Sequence, residues 1–153
     1  MKTSTLNDRE QVAALVAAYG DGADGAAPRA AQWQALLARP PAAPVTFVNF
    51  FKLRAAAKYP AQSGIQACSG QEAFGRYAAV SAPGLEKVGG RFLLLAPFEA
   101  ALVGEVEDWD FVAVGAYPDK SAVLALFEDA DYRQAWIHRV AACERQKVLL
   151  CAA

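Results

Sequence analysis

Histidine is almost absent from this sequence, and the shortage limits the chemistry that we expect of it. The chain has one histidine, His138, and three cysteines, Cys68, Cys143 and Cys151, whose spacings match no C-x-x-C metal or redox motif. One histidine is too few for a typical zinc site, and no Ser-His-Asp order is recoverable. We therefore predict reduced thiols, no bound metal and no cofactor.

The sequence also lacks an excess of charge of either sign and a long apolar run. Fifteen Lys and Arg against sixteen Asp and Glu give a net charge of -1, with no basic stripe to neutralise a phosphate backbone. No apolar run approaches the roughly 20 residues that cross a bilayer. Charged residues 8–10 also interrupt the place where an export signal would have its apolar core. We expect a soluble cytoplasmic protein without a nucleic-acid or membrane partner.

Apolar side chains are what the sequence has in quantity. Hydrophobic residues make up 55% of the 153 residues and charged residues 20%, which is apolar for a small globular domain. This composition argues against disorder. It also predicts that a partner subunit covers part of the apolar surface.

Residues 1–44 have the pattern of a helical N-terminal extension. Asn7 or Asp8 is suited to cap a helix that runs to about Tyr19, where a glycine-rich stretch follows. Pro28, at a first helical position, predicts the start of a second short helix.

Residues 45–153 form the predicted main domain, in which strands and helices alternate. Predicted strands are residues 45–53, 91–96, its continuation at 100–106, 110–117 and 147–152. Predicted helices begin at the capping box of Ser69 and Glu72, at Asp119 or Ser121, and at Asp131, and the last one runs to about Arg145. This β-α-β-β-α-β order is typical of the α+β class and predicts a ferredoxin-like fold with a four-stranded antiparallel sheet.

A sheet of this kind has one face without helices. Residues 45–53 and 110–117 are nevertheless apolar on both faces, instead of alternating apolar with polar side chains. A second copy of the same sheet is the simplest cover for the remaining face. We predict a homodimer whose sheets face each other.

Several short motifs occur in an order that resembles a known family. They are V-N-F-F-K (48–52), A-K-Y-P (57–60), S-G-Q-E-A-F-G-R-Y (69–77), V-G-G-R-F (88–92), D-W-D (108–110), Y-P-D-K-S-A (117–122) and D-A-D-Y-R-Q-A-W-I-H-R-V-A (129–141). Over about residues 45–152 the sequence resembles the family called Domain of Unknown Function 1330, a branch of the dimeric α/β-barrel superfamily.

The resemblance implies a ferredoxin-like domain that dimerises through its sheet to form a barrel. Similar barrels include cofactor-independent quinol monooxygenases, muconolactone isomerases, haem-dependent enzymes and regulatory modules, so the fold does not select one function. Phe74 departs from the family pattern, in which we expect tyrosine, and removes one hydroxyl from any shared site.

His138 and Arg139 are the candidate catalytic residues. Helical phase puts His138 opposite the apolar stripe of its helix, which favours a solvated ring, whereas the family pattern includes the His-Arg pair among its motifs. Arg139 lies at the edge of the stripe. Its guanidinium either holds an anionic ligand or forms a structural ion pair with Asp131, Asp129 or Glu144.

Asn49, Tyr77 and Tyr117 are the candidate ligand-binding residues. Asn49 is either a hydrogen-bonded core residue or a group that orients a ligand in an apolar pocket, and the two tyrosines either pack in the core or present hydroxyls to a cavity. We predict a homodimer that binds a small, largely apolar molecule between sheet and helices, with monooxygenase-like or isomerase-like activity as its enzymatic form. The alternative is a non-catalytic ligand-binding or structural dimer.

Overall fold

The structure, a computed structural model, describes residues 6–152. Residues 1–5, which begin the segment in which we looked for an export signal, and residue 153 lie outside the described residues. The chain divides into two compact units, one up to Pro40 and one from Pro41 onward. The division falls in the PPAAP segment that precedes the first predicted strand.

Two helices form the first unit. Helix α1, Asp8–Tyr19, begins with a capping box at Asn7, whose side chain accepts a hydrogen bond from the third backbone N–H of the helix. Helix α2 is Ala30–Leu37. Pro28 lies before this helix and not at its first position, because Arg29 takes the cap with an extended backbone.

The second unit alternates strands and helices. Its elements are β1 Val45–Leu53, a short 3-10 helix Ala61–Ser63, α3 Gly70–Lys87, β2 Arg91–Pro97, β3 Phe111–Tyr117, α4 Lys120–Glu128, α5 Ala130–Ala142 and β4 Cys143–Ala152. The strands form one sheet in the order β2-β3-β1-β4, and every neighbouring pair is antiparallel. The predicted α+β, ferredoxin-like fold is thereby confirmed.

Side-chain caps set most of the helix starts in this unit. Ser69 and Glu72 form the predicted capping box of α3, and Asp119 caps α4. Asp129, and not Asp131, caps α5, because its carboxylate accepts the backbone N–H of Tyr132 at 3.0 Å. The predicted break between α4 and α5 is therefore present, and the residue that caps α5 lies two positions earlier in the D-A-D stretch than predicted.

The predicted continuation of β2 over residues 100–106 is wrong. These residues belong to no strand, and residues 102–105 form bends. The apolar side chains of Leu102, Val103 and Val106 are 96%, 90% and 94% exposed. The strand ends at Pro97, which has no N–H to donate to a neighbouring strand, and the backbone turns again at Gly104 with a φ of 93°.

The last helix is shorter than predicted. Helix α5 ends at Ala142 and not near Arg145, and strand β4 begins directly at Cys143. From Cys143 onward the backbone pairs with β1, starting opposite Leu53. The helix therefore ends because β4 pairs with β1. Local sequence does not encode this long-range pairing.

The sheet has one face covered by helices. Phe51 of β1 and Ala113 of β3 pack in a buried cluster with Ala73 of α3, Ala142 of α5 and Cys143. Because side chains alternate along a strand, the intervening residues of β1 and β3 point to the other face. Helices α3 and α5 therefore lie over one side of the sheet.

The other face of the sheet, which we call the open face, carries a row of apolar side chains across all four strands. Register places Leu94, Val114, Val48 and Leu149 side by side in this row. Leu94 and Leu149 on the edge strands are 48% and 41% exposed. The open face therefore exposes to solvent apolar side chains of the kind that usually lie in a protein core.

One end of the open face is covered by the segment before β3. The Trp109 ring lies 5.7 Å from the Phe50 ring between centroids, and the Arg145 guanidinium lies 4.9 Å from the Trp109 ring. Lys52 pairs with Asp108 at 3.1 Å. This segment buries Trp109 and leaves the Leu94–Leu149 row uncovered.

Candidate functional site

His138 contacts a tyrosine that approaches it from outside its own helix. Its Nδ1 lies 2.7 Å from Oη of Tyr59, and the two rings meet edge to face with centroids 5.6 Å apart. Tyr59 belongs to the segment between β1 and α3, which is attached to the end of α5 by a hydrogen bond from Lys58 N–H to the Ala141 carbonyl. His138 is therefore half-buried, and the solvated position expected from helical phase is not observed.

Arg76 of α3 completes the group that we call the Tyr59 cluster: Tyr59, Arg76 and His138. Arg76 Nη1 donates a hydrogen bond to Tyr59 Oη at 3.2 Å. The Tyr59 hydroxyl then has its own hydrogen available for Nδ1 of His138. We accordingly assign the proton of the neutral imidazole to Nε2.

The electrostatics of the cluster favour a neutral imidazole. Burial, together with the positive charge of Arg76, lowers the pKa of His138. Burial also raises the pKa of Tyr59, although the hydrogen bond from Arg76 opposes this effect. At neutral pH the cluster therefore consists of a guanidinium cation, a phenol and a neutral imidazole.

Arg76 and His138 line a groove of about 490 Å³ between α3 and α5, which we call the α3–α5 groove. Its polar lining residues are Arg76, Lys87, Asp129, Asp131, Gln134 and His138. Small or apolar residues, among them Ala79, Val80, Pro83 and Ala135, complete the walls. At the end away from the Tyr59 cluster, Lys87 and Asp129 form an ion pair at 3.8 Å.

Arg139 lies in the core and not in this groove. Only 6% of its surface is exposed; Nε donates to Gln146 Oε1 at 2.8 Å and Nη1 donates to Tyr77 Oη at 3.0 Å. The guanidinium also lies over the Trp136 and Phe51 rings, 4.6 Å and 4.9 Å from their centroids. Ring faces and neutral acceptors thus surround this cation.

The structural ion pairs expected for Arg139 do not form. Among residues 6–152, neither Asp131, Asp129 nor Glu144 makes an ion pair with it. The guanidinium points into the aromatic layer between α5 and the sheet, where no carboxylate is present to meet it. Arg139 lies at the edge of the apolar stripe of α5. That position alone does not determine whether its long side chain turns towards a carboxylate or into the core.

The three predicted ligand-binding residues are separated from His138. The Tyr77 hydroxyl accepts the hydrogen bond from Arg139 and forms a 2.7 Å hydrogen bond with the hydroxyl of Tyr132. Tyr117 packs against Phe47 with ring centroids 5.5 Å apart, and burial raises its pKa.

Asn49 is half-buried on the covered face of the sheet. Its Nδ2 donates a hydrogen bond to the Ala113 carbonyl at 3.0 Å, across the β1–β3 pairing in which these two residues are register partners. Of the five candidate residues, the structure brings together Arg139 and Tyr77. It leaves His138 in the groove, and Asn49 and Tyr117 at separate positions on the sheet.

Tyr59 and Arg76 are site residues that we did not select from the sequence. Both lie in the ordered motifs, Tyr59 in A-K-Y-P and Arg76 in S-G-Q-E-A-F-G-R-Y. His138 also lies in one of these motifs. Membership in the motifs was therefore the feature of the sequence that could have pointed to Tyr59 and Arg76 as site residues. Their contact joins residues far apart in the chain, so spacing alone does not reveal it.

Residues 6–152 contain neither a metal-binding cluster nor a helix that could cross a membrane. No group of three or more His, Cys, Asp or Glu side chains there is arranged to hold a metal ion. The three cysteines are free thiols, and burial raises the pKa of Cys143 to about 11. None of the helices within residues 6–152 has the length and apolar character needed to span a membrane.

A family model described as Domain of unknown function (DUF1330) matches residues 66–152, which are more than half of the chain. The chain belongs to the DUF1330 family. The resemblance seen in the sequence motifs is thus confirmed. The DUF1330 match includes Arg76 and His138, whereas Tyr59 precedes it.

Solved structures similar to this DUF1330 chain include the RPA0582 protein of Rhodopseudomonas palustris, described as a protein of unknown function. It is 30% identical with a TM-score of 0.74, and the match covers 82% of this chain and 94% of that one. The methylated RPA0582 protein matches with the same identity and TM-score and with 92% of its chain covered.

A dimeric ferredoxin-like protein of unknown function from Thermobifida fusca is 13% identical, with a TM-score of 0.43 over 72% of this chain and 92% of that one. No curated protein matches the chain.

Proposed function

We propose that this protein is a homodimer that binds a small molecule in the α3–α5 groove, with the Tyr59 cluster as its polar contact. The observation that carries the proposal is the hydrogen-bonded chain on the groove wall, from Arg76 through Tyr59 to Nδ1 of His138. The groove volume of about 490 Å³ lies within the range of about 300–1,000 Å³ that is typical of small-molecule sites.

The groove replaces the space between sheet and helices as the proposed ligand site. Large side chains occupy that space. The Phe51 ring packs against Phe74 and Phe111 with centroids 4.8 Å and 4.9 Å away, and Tyr77 and Tyr117 are buried. A packed aromatic layer supports the structure of the domain and leaves ligand contact to residues at the outer side of the helices.

Catalysis is the second candidate function, and the hydrogen-bonded chain is the observation that favours it. In a proton relay, His138 would give its Nε2 proton to the bound molecule while Nδ1 takes the Tyr59 proton, and Arg76 would stabilise the resulting phenolate. The burial that raises the pKa of Tyr59 opposes formation of that phenolate. We therefore propose ligand binding as the function.

The open face supports the homodimer. Its row of Leu94, Val114, Val48 and Leu149 spans all four strands, and packing a second identical sheet on it at about 10 Å would remove these side chains from water.

A fragment screen monitored on the His138 imidazole tests the ligand site. The chain has one histidine, so a bound fragment is detected by a change in one set of imidazole NMR signals. Ala79→Trp fills the groove, and Gln71→Trp places the same ring on an exposed part of the same helix as a control. We expect fragments that shift His138 in the wild type and the control but not in Ala79→Trp. Equal binding by Ala79→Trp, or no fragment that shifts His138, would contradict the proposal.

A further inference from the structure

We infer that the α3–α5 groove takes a monocarboxylate, an organic acid whose carboxylate lies between Arg76 and Nε2–H of His138 and whose apolar body lies along the small residues of the groove. This inference rests on the proposed function, since it names the chemical class of the molecule that occupies that same site. Three features of the groove lead to it: a guanidinium without a close ion pair among residues 6–152, a second donor beside it, and an opposite end whose cation is already paired.

Arg76 supplies a positive charge that is not held in a close ion pair. The Glu72 carboxylate, one turn earlier on α3, attracts it at longer range, but that carboxylate accepts the backbone N–H of Ser69. Among residues 6–152 it forms no ion pair, and its hydrogen bond is to the neutral hydroxyl of Tyr59. A guanidinium has five N–H donors, so this contact leaves most of them available to a ligand. The Tyr59 bond also holds the planar group in place, and an Arg that is already oriented loses less freedom when it binds a carboxylate.

His138 supplies the second donor. Its Nδ1 is occupied by Tyr59 at 2.7 Å, so Nε2 is the ring nitrogen left for a ligand, and in the neutral imidazole it carries the proton. Arg76 and His138 meet at the same phenol oxygen and both line the groove. Two neighbouring N–H donors, one of them charged, match the two oxygens of a carboxylate.

The opposite end of the groove disfavours a second anionic group. Lys87 is already paired there with Asp129, and Asp131 adds a further negative charge to the lining. Between the two ends the walls carry Ala79, Val80, Pro83 and Ala135, which offer apolar contact and no charge. A molecule with one carboxylate and an apolar chain therefore fits the charge pattern better than a dicarboxylate does.

The length of the groove allows such a chain. Arg76 and Lys87 lie at its two ends, and the eleven helical steps from one to the other correspond to about 16 Å. A six-carbon acid occupies about half of this distance. Each additional methylene that enters the apolar part should strengthen binding about two- to fourfold until the far end is reached.

The experiment titrates the native protein at pH 7 with hexanoate, hexanamide, hexylamine and adipate, and follows the His138 imidazole signals. We expect hexanoate to bind about tenfold more tightly than hexanamide, because a charge-assisted hydrogen bond is lost with the amide. Adipate and hexylamine should bind more weakly than hexanoate. Arg76→Gln should remove the preference for hexanoate over hexanamide. Lys58→Gln, which removes a positive charge next to Tyr59 from an exposed side chain outside the groove lining, should keep it.

The outcomes separate the two proposals. Binding of hexanamide or hexylamine as tightly as hexanoate, abolished by Ala79→Trp, would overturn the carboxylate assignment and leave the groove as a ligand site. An unchanged hexanoate preference in Arg76→Gln would also overturn it. If none of the four probes and no fragment shifts His138, the groove itself is not a binding site and both proposals fail.

Discussion

Arg139 is a buried cation in a setting without opposite charge. Its contacts are the hydroxyl of Tyr77, the amide oxygen of Gln146 and the faces of aromatic rings. Burying a charge is costly, and ring faces and neutral acceptors offset only part of the cost. Because none of these partners is ionised, however, removal of Arg139 leaves no unpaired charge in the core.

This setting predicts a difference between two substitutions of Arg139. Arg139→Ala leaves a cavity among the rings and should lower the free energy of unfolding by about 3 kcal/mol. Arg139→Met fills much of the volume and should cost about 1 kcal/mol or less. Urea denaturation of the three proteins measures both changes. Equal losses in the two variants would mean that the hydrogen bonds, and not the packing, make Arg139 stabilising.

His138 should make stability depend on pH in a narrow window. Burial and Arg76 lower its pKa in the folded protein, whereas in the unfolded chain the imidazole takes up a proton near pH 6.5. Below about pH 6.5 the unfolded state therefore binds more protons, and stability falls as the pH is lowered through the folded-state pKa.

The pH prediction is checked with chemical denaturation at pH 7.5, 6.5 and 5.5. His138 is the only histidine, so His138→Gln should flatten the decline across this window, in which carboxylates titrate little. An identical decline in His138→Gln would show that another group is responsible.

Two of the three glycines in helix α3 have opposite requirements. A Cβ at Gly75, in the middle of the helix, would meet nothing within 4 Å. A Cβ at Gly70, the first residue of the helix, would collide with the backbone carbonyl of Arg54 that follows β1. The helix thus starts where only glycine permits the close approach of two backbone segments.

Alanine should consequently stabilise one position and destabilise the other. We expect Gly75→Ala to raise the free energy of unfolding by about 0.5–1 kcal/mol through lower backbone entropy in the unfolded chain. We expect Gly70→Ala to lower it by more than the roughly 1 kcal/mol lost in Ser69→Ala, which removes the cap. Thermal and urea unfolding of the three variants tests the order. A Gly70→Ala protein as stable as the wild type would disprove the close approach.

Local signals were sufficient for most elements, and long-range pairing decided the rest. The capping box of Ser69 and the β-branched, aromatic run of β1 predicted their elements with the observed starts. Residues 100–106 have a similar apolar pattern but pair with no strand, and pattern alone does not distinguish an apolar loop from a strand. The end of α5 at Ala142 is set by pairing of Cys143 with β1.

At the scale of the whole molecule, an apolar sheet face predicted from sequence is present as the open face. A negative charge in its central row should oppose the proposed dimer. We expect Val114→Asp to change the mass in light scattering from twice the 16.3 kDa of one chain to a single chain. Gln71→Asp, on the exposed surface of α3, should remain dimeric. A wild-type protein that is monomeric at all concentrations would rule out the dimer.

The candidate site was less accessible to sequence analysis than the fold. Strand order follows from the sequence of elements and general rules of topology. The Tyr59 cluster instead depends on a loop crossing the end of α5, so that Tyr59 meets a residue 79 positions away. Arg139 and His138 are adjacent in sequence, yet one lies in the core and the other in the groove, because successive residues of a helix point about 100° apart.

The cover formed by Trp109 also gives the open face an uneven thickness. At the Phe50 end an indole ring already lies on the sheet. The row at the opposite end carries the short side chains of Ala116, Thr46 and Cys151 on three strands and the longer Arg91 on the edge strand β2. Two such surfaces fit together only when the thick end of each lies away from the thick end of the other. In the proposed dimer, Trp109 would therefore allow one orientation of the partner sheet and exclude the others by steric overlap.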